Sequence, residues 1–163
     1  MKSVKEVLKA KTKEVWSILP YDTVYDALKL MGEKQIGALI VMNEHGKVAG
    51  IISERDYARK VILKGKTSKE TKVEEIMTPA SEMFAVSPDH TVEDCMILMT
   101  GKHVRHLPVF ENNQFVGVVS IGDAVKSIIS EQGALIEHLS NYIAAKVPEY
   151  CFNLHDWPFC CFS

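Results

Sequence analysis

The chain has 163 residues, 47% of them hydrophobic and 25% charged, which excludes a disordered, collagen-like or low-complexity polymer and fits one ordinary domain or two small halves sharing a core. Net charge is −2, from 19 Lys and Arg against 21 Asp and Glu. A protein that grips nucleic acid through its phosphates carries a basic excess, so no nucleic-acid partner is expected, and any polyanion bound is expected to be small and held in a local pocket.

No apolar run approaches the roughly 18 to 20 residues that span a bilayer, so no membrane association is expected. Met1–Lys13 carries five Lys, Glu6 and no Arg, with no long apolar stretch behind it. That fits neither a secretory signal nor an Arg-rich presequence. Of four Cys, three fall in the final thirteen residues, which is no disulfide framework and points to a reduced, intracellular protein. The expected location is cytoplasmic, with a mitochondrion or other organelle open if the source is eukaryotic.

The first predicted element is an extended segment, Val15–Leu19, stopped by Pro20. Thr23 followed by Asp26 makes the capping pattern of a helix start, and Val24, Ala27, Leu28 and Met31 give that helix one apolar stripe. A strand at Ala38–Met42, a polar turn at Asn43–Lys47 and a second strand at Val48–Ile52 follow. The next helix is predicted over Asp56–Lys64, and Gly65–Thr71 reads as a polar linker. Val73–Pro79 leads into another extended segment, Met83–Ser87, and Pro88. Thr91 and Asp94 cap a helix with its stripe at Val92, Cys95, Met96 and Met99. Strands at His106–Phe110 and Phe115–Val119 flank the turn Glu111–Gln114, and a helix over Asp123–Ser130 completes the set. Residues 131–147, with Leu135, Ile136, Leu139, Tyr142 and Ile143, predict a separate amphipathic helix, folded back or used in assembly.

The second half repeats the first. Pro20–Met42 laid on Pro88–Phe110 matches at nine of 23 positions, and one residue lost in the turn then brings Gly50, Ser53 and Asp56 onto Gly117, Ser120 and Asp123. Each copy is a β-α-β-β-α unit of about 50 residues, too small to cover its own sheet, so the copies are expected to pack together in an α+β fold. The predicted organisation is an N-terminal segment (1–12), repeat 1 (13–64), linker (65–72), repeat 2 (73–130), C-terminal helix (131–147) and irregular tail (148–163).

Ser53 and Ser120 stand where a strand hands over to a helix, so backbone donors and the helix dipole converge there on a spot suited to phosphate. An Asp three residues on, Asp56 or Asp123, offers only acceptors when ionised and suits a ribose diol. The same pattern also serves as a plain helix cap, and the residues alone leave both readings open.

Gly50-Ile-Ile-Ser-Glu-Arg-Asp56 and Gly117-Val-Val-Ser-Ile-Gly-Asp123, each after a matched helix and strand, resemble the signature of a tandem pair of cystathionine-β-synthase (CBS) domains in a small stand-alone protein. The resemblance implies two repeats packed about a pseudo-twofold axis and a non-catalytic regulatory module. It implies AMP, ADP, ATP, NAD(H) or S-adenosylmethionine as the ligand, with no cofactor required, and signalling by conformational shift to a regulated enzyme partner or within a homodimer. It places Trp16 and Phe84 against the base, and Arg105 and His106, just before Pro108, at the phosphates. The matching positions in the first copy are the uncharged Gly37 and Ala38, so unequal clefts are expected, with Arg55 replacing some charge in copy one where copy two has Gly122. Ala38, Thr78, Pro108, Ser53, Asp56, Ser120 and Asp123 complete the implied site. A vacant interaction module is one alternative. An enzyme related to IMP dehydrogenase is the other, but the chain offers no nucleophile beside a base, no phosphate-gripping Gly-rich loop and no metal-binding His-Glu-x-x-His, and Cys95 falls on a core stripe. No metal site is expected. In the tail, Cys151, His155, Cys160 and Cys161 have no paired zinc spacing, and the final Cys-Cys-Phe-Ser only loosely fits a prenylation box; a partner-packed or poorly ordered extension is the plainer expectation.

Overall fold

The computed structural model describes residues 2–11 and 14–146. The zinc and prenylation readings of the tail lie outside the described residues. Two units emerge, Met1–Ser127 and Ile128–Ser163.

The first unit holds both repeats. Ser3 caps α1 (Val4–Ala10), with Glu6 closing the capping box. Then come β1 (Ser17–Ile18), α2 (Val24–Lys34), β2 (Ala38–Met42), β3 (Val48–Ser53) and α3 (Glu54–Lys60). A short 3-10 turn at Ile62–Lys64 ends the first repeat. A second 3-10 turn at Val73–Glu75 and β4 (Thr78–Pro79) open the second, which continues through α4 (Val92–Lys102), β5 (His106–Glu111) and β6 (Gln114–Ser120) into α5 (Ile121–Lys146). The mixed α+β architecture expected from the sequence is the one found.

Local sequence sets most of these limits. Thr23 and Thr91 accept hydrogen bonds from the backbone N–H of Asp26 and Asp94, so both predicted helix caps are real. Both helices end on a residue with positive φ, Gln35 (55°) and His103 (54°), one repeat apart. Three predictions needed correction. The extended segment at 83–87 is reduced to a single parallel bridge, Val86 with Val109. Helix α3 is shorter than predicted, its last turn tightening into 3-10 form. The helices predicted at 123–130 and 131–147 are one continuous α5, because no proline interrupts residues 121–146 and the isolated Gly133 is tolerated inside a helix.

The sheets show how the repeats join. The first has the order β1-β2-β3-β4, so a strand from the start of repeat 2 extends the sheet of repeat 1. Val73 N–H donates to Asp22 O at 3.0 Å and Glu74 N–H to Pro20 O at 2.9 Å. At the other end, Val4 N–H donates to His90 O at 2.8 Å and Lys5 N–H to Pro88 O at 3.0 Å. The opening segment of each repeat is thus bonded to the body of the other. Val73 and Ile76 are accordingly buried among Ile18, Val24, Met31, Leu39 and Ile52 of the first repeat. Val4 and Val7 are buried like Val92, Cys95, Met99, Leu107 and Val119 of the second. A sequence signal for this existed: Val4-Lys-Glu-Val-Leu8 parallels Val73-Glu-Glu-Ile-Met77. The apolar side chains hold the same positions, so the N-terminal segment works as the opening of repeat 1.

The crossing also explains the signature glycines. A Cβ on Gly50 would overlap Thr78 O, and one on Gly117 would meet Leu8 Cδ2 at 2.9 Å. The clash at Gly50 is with backbone, that at Gly117 with the tip of a flexible side chain.

Within the second unit, the α5 residues Ile129, Leu135, Ile136, Leu139 and Tyr142 are exposed.

The unequal glycine contacts predict unequal substitutions. Gly50→Ala should destabilise the protein by about 2 kcal/mol or more, since β3 and β4 must separate, while Gly117→Ala should cost under about 1 kcal/mol. Urea unfolding of the two variants compares them directly, and equal losses would contradict the backbone contact at Gly50.

Candidate functional site

Two clefts open in the first unit, and each draws on both repeats. Cleft A, about 230 Å³, sets Trp16 and the segment Gln35–Ile40 of repeat 1 against Ser120, Gly122 and Asp123 of repeat 2. Cleft B, about 320 Å³, sets Ser53, Arg55 and Asp56 of repeat 1 against Thr78 and His103–His106 of repeat 2. Because the opening segments cross over, the Ser-to-Asp helix start of one repeat faces a strand segment of the other: Trp16 and β2 in cleft A, and the start of β5 in cleft B. His106 lines both clefts.

At each helix start the serine and aspartate form a closed capping box. Ser120 N–H and Oγ–H donate to Asp123 Oδ2 at 2.8 and 2.7 Å, and Asp123 N–H returns a bond to Ser120 Oγ. Ser53 and Asp56 repeat the arrangement at 3.0 and 2.7 Å. The capping reading is therefore correct as far as it goes. Both carboxylates nevertheless line their clefts, and each also holds a lysine. Lys60, one turn along the same helix, reaches Asp56 Oδ1 at 2.9 Å. Lys11, from the far end of the sequence, reaches Asp123 Oδ2 at 2.8 Å.

The electrostatics of the two clefts differ. Arg55, Arg59 and Arg105 all line cleft B, and Arg55 Nη1 donates to His103 O at 2.7 Å. Arg55 was expected to make up for the charge missing at Gly37 and Ala38. It stands instead in the cleft that already has Arg105, because a helix start faces the other repeat's strand. Cleft A has an apolar wall of Trp16, Ile36, Ala38 and Ile40 beside Lys11 and Lys126. Lys34 Nζ covers the Trp16 ring at 3.8 Å, a cation–π contact.

Burial of Asp123 pushes its carboxyl up, but the hydrogen bonds from Lys11 and Ser120 outweigh this and hold it below its ordinary range. Burial pushes the His106 imidazole down, and the Lys11 and Arg105 cations add to that against the opposing pull of Asp123. His106 is therefore neutral at pH 7, with one N–H to give.

Two of the expected site residues stand elsewhere. Phe84 lines neither cleft; it is 39% exposed, with Lys102 Nζ 5.2 Å from its ring centre. Pro108 is buried in β5 opposite Val118 and also lines neither. Sequence reasoning missed Lys11 and Arg59, which line clefts A and B. Arg59 lies one helical turn beyond Arg55 and was legible. Lys11 was not, since its place depends on the crossover. Among the described residues no group of His, Cys, Asp and Glu is arranged to hold a metal ion, and no helix is long and apolar enough to cross a membrane.

Comparison with known proteins adds to this geometry. The family model for the CBS domain matches residues 4–62 and 73–130. The chain is 40% identical over 148 residues to CBS domain-containing protein CBSX3, mitochondrial, of Arabidopsis thaliana, covering 86% of this chain and 71% of the relative. A CBS-domain structure from Burkholderia ambifaria shares 47% identity at a TM-score of 0.76, covering 80% of this chain and 96% of its own. The CBS domain pair of the protein MJ0100, solved with 5-methylthioadenosine and S-adenosyl-L-methionine, shares 26% identity at a TM-score of 0.68, covering 80% and 98%.

The buried imidazole has a pH signature. Its folded value lies below the ordinary 6.5, so as pH falls the unfolded chain takes the proton first. The imidazole's contribution to folding stability is complete above about 6.5 and is lost as pH falls from there toward the folded value. A histidine-resolved NMR titration should place the His106 midpoint below 6.5, and His106→Gln should flatten the stability curve just below that pH. A midpoint at or above 6.5 would contradict the burial and the cationic neighbours.

Proposed function

This chain belongs to the CBS-domain family, and from that premise we propose that it is a non-catalytic regulatory module taking adenosyl ligands in clefts A and B. The ligand class is AMP, ADP, ATP, NAD(H) or S-adenosylmethionine. The observation that carries the proposal is the repeated facing of an ionised aspartate, at a helix start, toward a strand segment of the other repeat.

In cleft A, the base lies against Trp16 and Ala38, and the ribose hydroxyls donate to Asp123 beside Ser120. In cleft B, the ribose donates to Asp56 beside Ser53, near Thr78, and the phosphates meet Arg55 and Arg105, with His106 donating its single N–H. Guanidinium groups suit this role because their fork of donors matches phosphate oxygens in pairs. Cleft B is accordingly the preferred site for di- and triphosphates. The complex of the MJ0100 pair with adenosyl compounds supports the ligand class.

Signalling follows by population shift: a ligand that spans both repeats favours the arrangement it fits best, by its difference in affinity for the alternatives. At a hundredfold excess over its dissociation constant it stabilises that arrangement by about 2.7 kcal/mol. A regulated enzyme or a second copy of the chain reads the change. The exposed Ile97 on α4 and Leu135 and Ile136 on α5 support assembly into a homodimer. An intracellular setting goes with this reading, as these ligands are intracellular metabolites.

Isothermal titration with AMP, ATP, NADH and S-adenosylmethionine should show binding to the intact protein. Asp56→Ala and Asp123→Ala should each weaken one binding event by more than about tenfold, a loss typical of one charge-assisted hydrogen bond. Circular dichroism checks that the variants stay folded despite the lost cap. Unchanged binding in both variants would overturn the ribose assignment.

A further inference from the structure

Among the described residues, Lys11 is the one cation of cleft A that comes from outside the matched strand and helix pattern. Its ammonium donates to Asp123 Oδ2 at 2.8 Å and to Val118 O at 3.0 Å, and its side chain keeps 25% exposure. Both partners belong to one short stretch, the end of β6 and the start of α5, so the charge is fixed relative to the helix start. Leu8, one turn earlier, lies against Gly117 of the same strand, which anchors the segment that delivers Lys11.

The contrast with cleft B is informative. Lys60, the lysine on Asp56, takes Oδ1 and is held by Ile76 O at 2.6 Å, and it does not line the cleft. Lys11 does line its cleft, and it crowds onto Oδ2 with the two Ser120 donors. Among the described residues, Asp123 Oδ1 accepts no hydrogen bond. A hydroxyl donor can therefore reach that oxygen while the ammonium stays in place. In the register that lays Val4 on Val73, the position matching Lys11 is the uncharged Ala80.

We propose that Lys11 is a specificity-determining residue of cleft A, favouring adenosyl ligands whose 5′ group is anionic over those whose 5′ group is cationic. The inference rests on the adenosyl reading above. Among the described residues, cleft A is lined by two cations, Lys11 and Lys126, and two carboxylates, Glu14 and Asp123. They balance, and His106 contributes no charge at pH 7. Removing Lys11 leaves one net negative charge and frees Asp123 to attract a sulfonium. With Lys11 present, a ribose at Asp123 Oδ1 brings its 5′ substituent within several ångströms of a fixed ammonium, which attracts a phosphate and repels a sulfonium.

The test uses the full chain with Trp157→Phe, which leaves Trp16, a cleft A residue, as the only indole. Its fluorescence is titrated with AMP, neutral 5-methylthioadenosine and S-adenosylmethionine in parent, Lys11→Met and Lys11→Arg proteins. In Lys11→Met, AMP should bind about tenfold more weakly and S-adenosylmethionine more tightly, the effect of one unit charge in a half-open cleft. The neutral ligand should change less than about twofold, and Lys11→Arg should keep the parent's order. Equal weakening of all three ligands, or an unchanged ratio of AMP to S-adenosylmethionine, would overturn the role of Lys11 and leave the adenosyl reading standing. No Trp16 response to any of the three in the parent, by contrast, would overturn the adenosyl reading of cleft A and the inference with it.

Discussion

The fold depends on an exchange. Each repeat lends its opening segment to the other, and the backbone bonds from Val4 and Lys5 to His90 and Pro88, mirrored by those from Val73 and Glu74 to Asp22 and Pro20, fasten the exchange at both ends. The apolar side chains that travel with these segments, Val4 and Val7 in one direction and Val73 and Ile76 in the other, are fully or nearly buried. Neither repeat completes its own core, so the halves are held together by what each lacks. Burial of this kind supplies most of the favourable free energy of a small domain.

The same exchange builds the clefts and explains their inequality. Since a helix start always faces the other repeat's strands, charge that belongs to one repeat in sequence adds to the other in space. Arg55 and Arg105 therefore meet in a single cleft, and the opposite cleft is left with an indole, an apolar wall and an ion pair. Divergence between the two copies has become divergence between two sites. Among the described residues, cleft B carries the guanidinium groups of Arg55, Arg59 and Arg105, whereas cleft A sets an indole and an apolar wall beside two lysines, Glu14 and Asp123.

Much of this was legible in the sequence. The repeat, the capping threonines and the strand pairs all rest on local signals, periodicity and caps, which the tertiary structure did not override. The Ser53–Asp56 and Ser120–Asp123 pairs were likewise found from spacing alone. What local signals could not supply was the partner across the cleft. Nothing near Arg55 in the chain tells which strand it will face, and Lys11 lies 112 residues from the aspartate it touches. Phe84 was misplaced for a related reason: its segment keeps only one bridge of the strand that β1 provides on the other side, and the ring turns out toward Lys102. The faint match between residues 4–8 and 73–77 was the missing clue, too short to stand out until the contacts gave it meaning.

His106 forms a common wall of both clefts, and as a neutral ring it owns a single proton for its two nitrogens. A single side chain, uncharged at neutral pH, thus stands at the boundary the two clefts share, so one substitution there alters the lining of both.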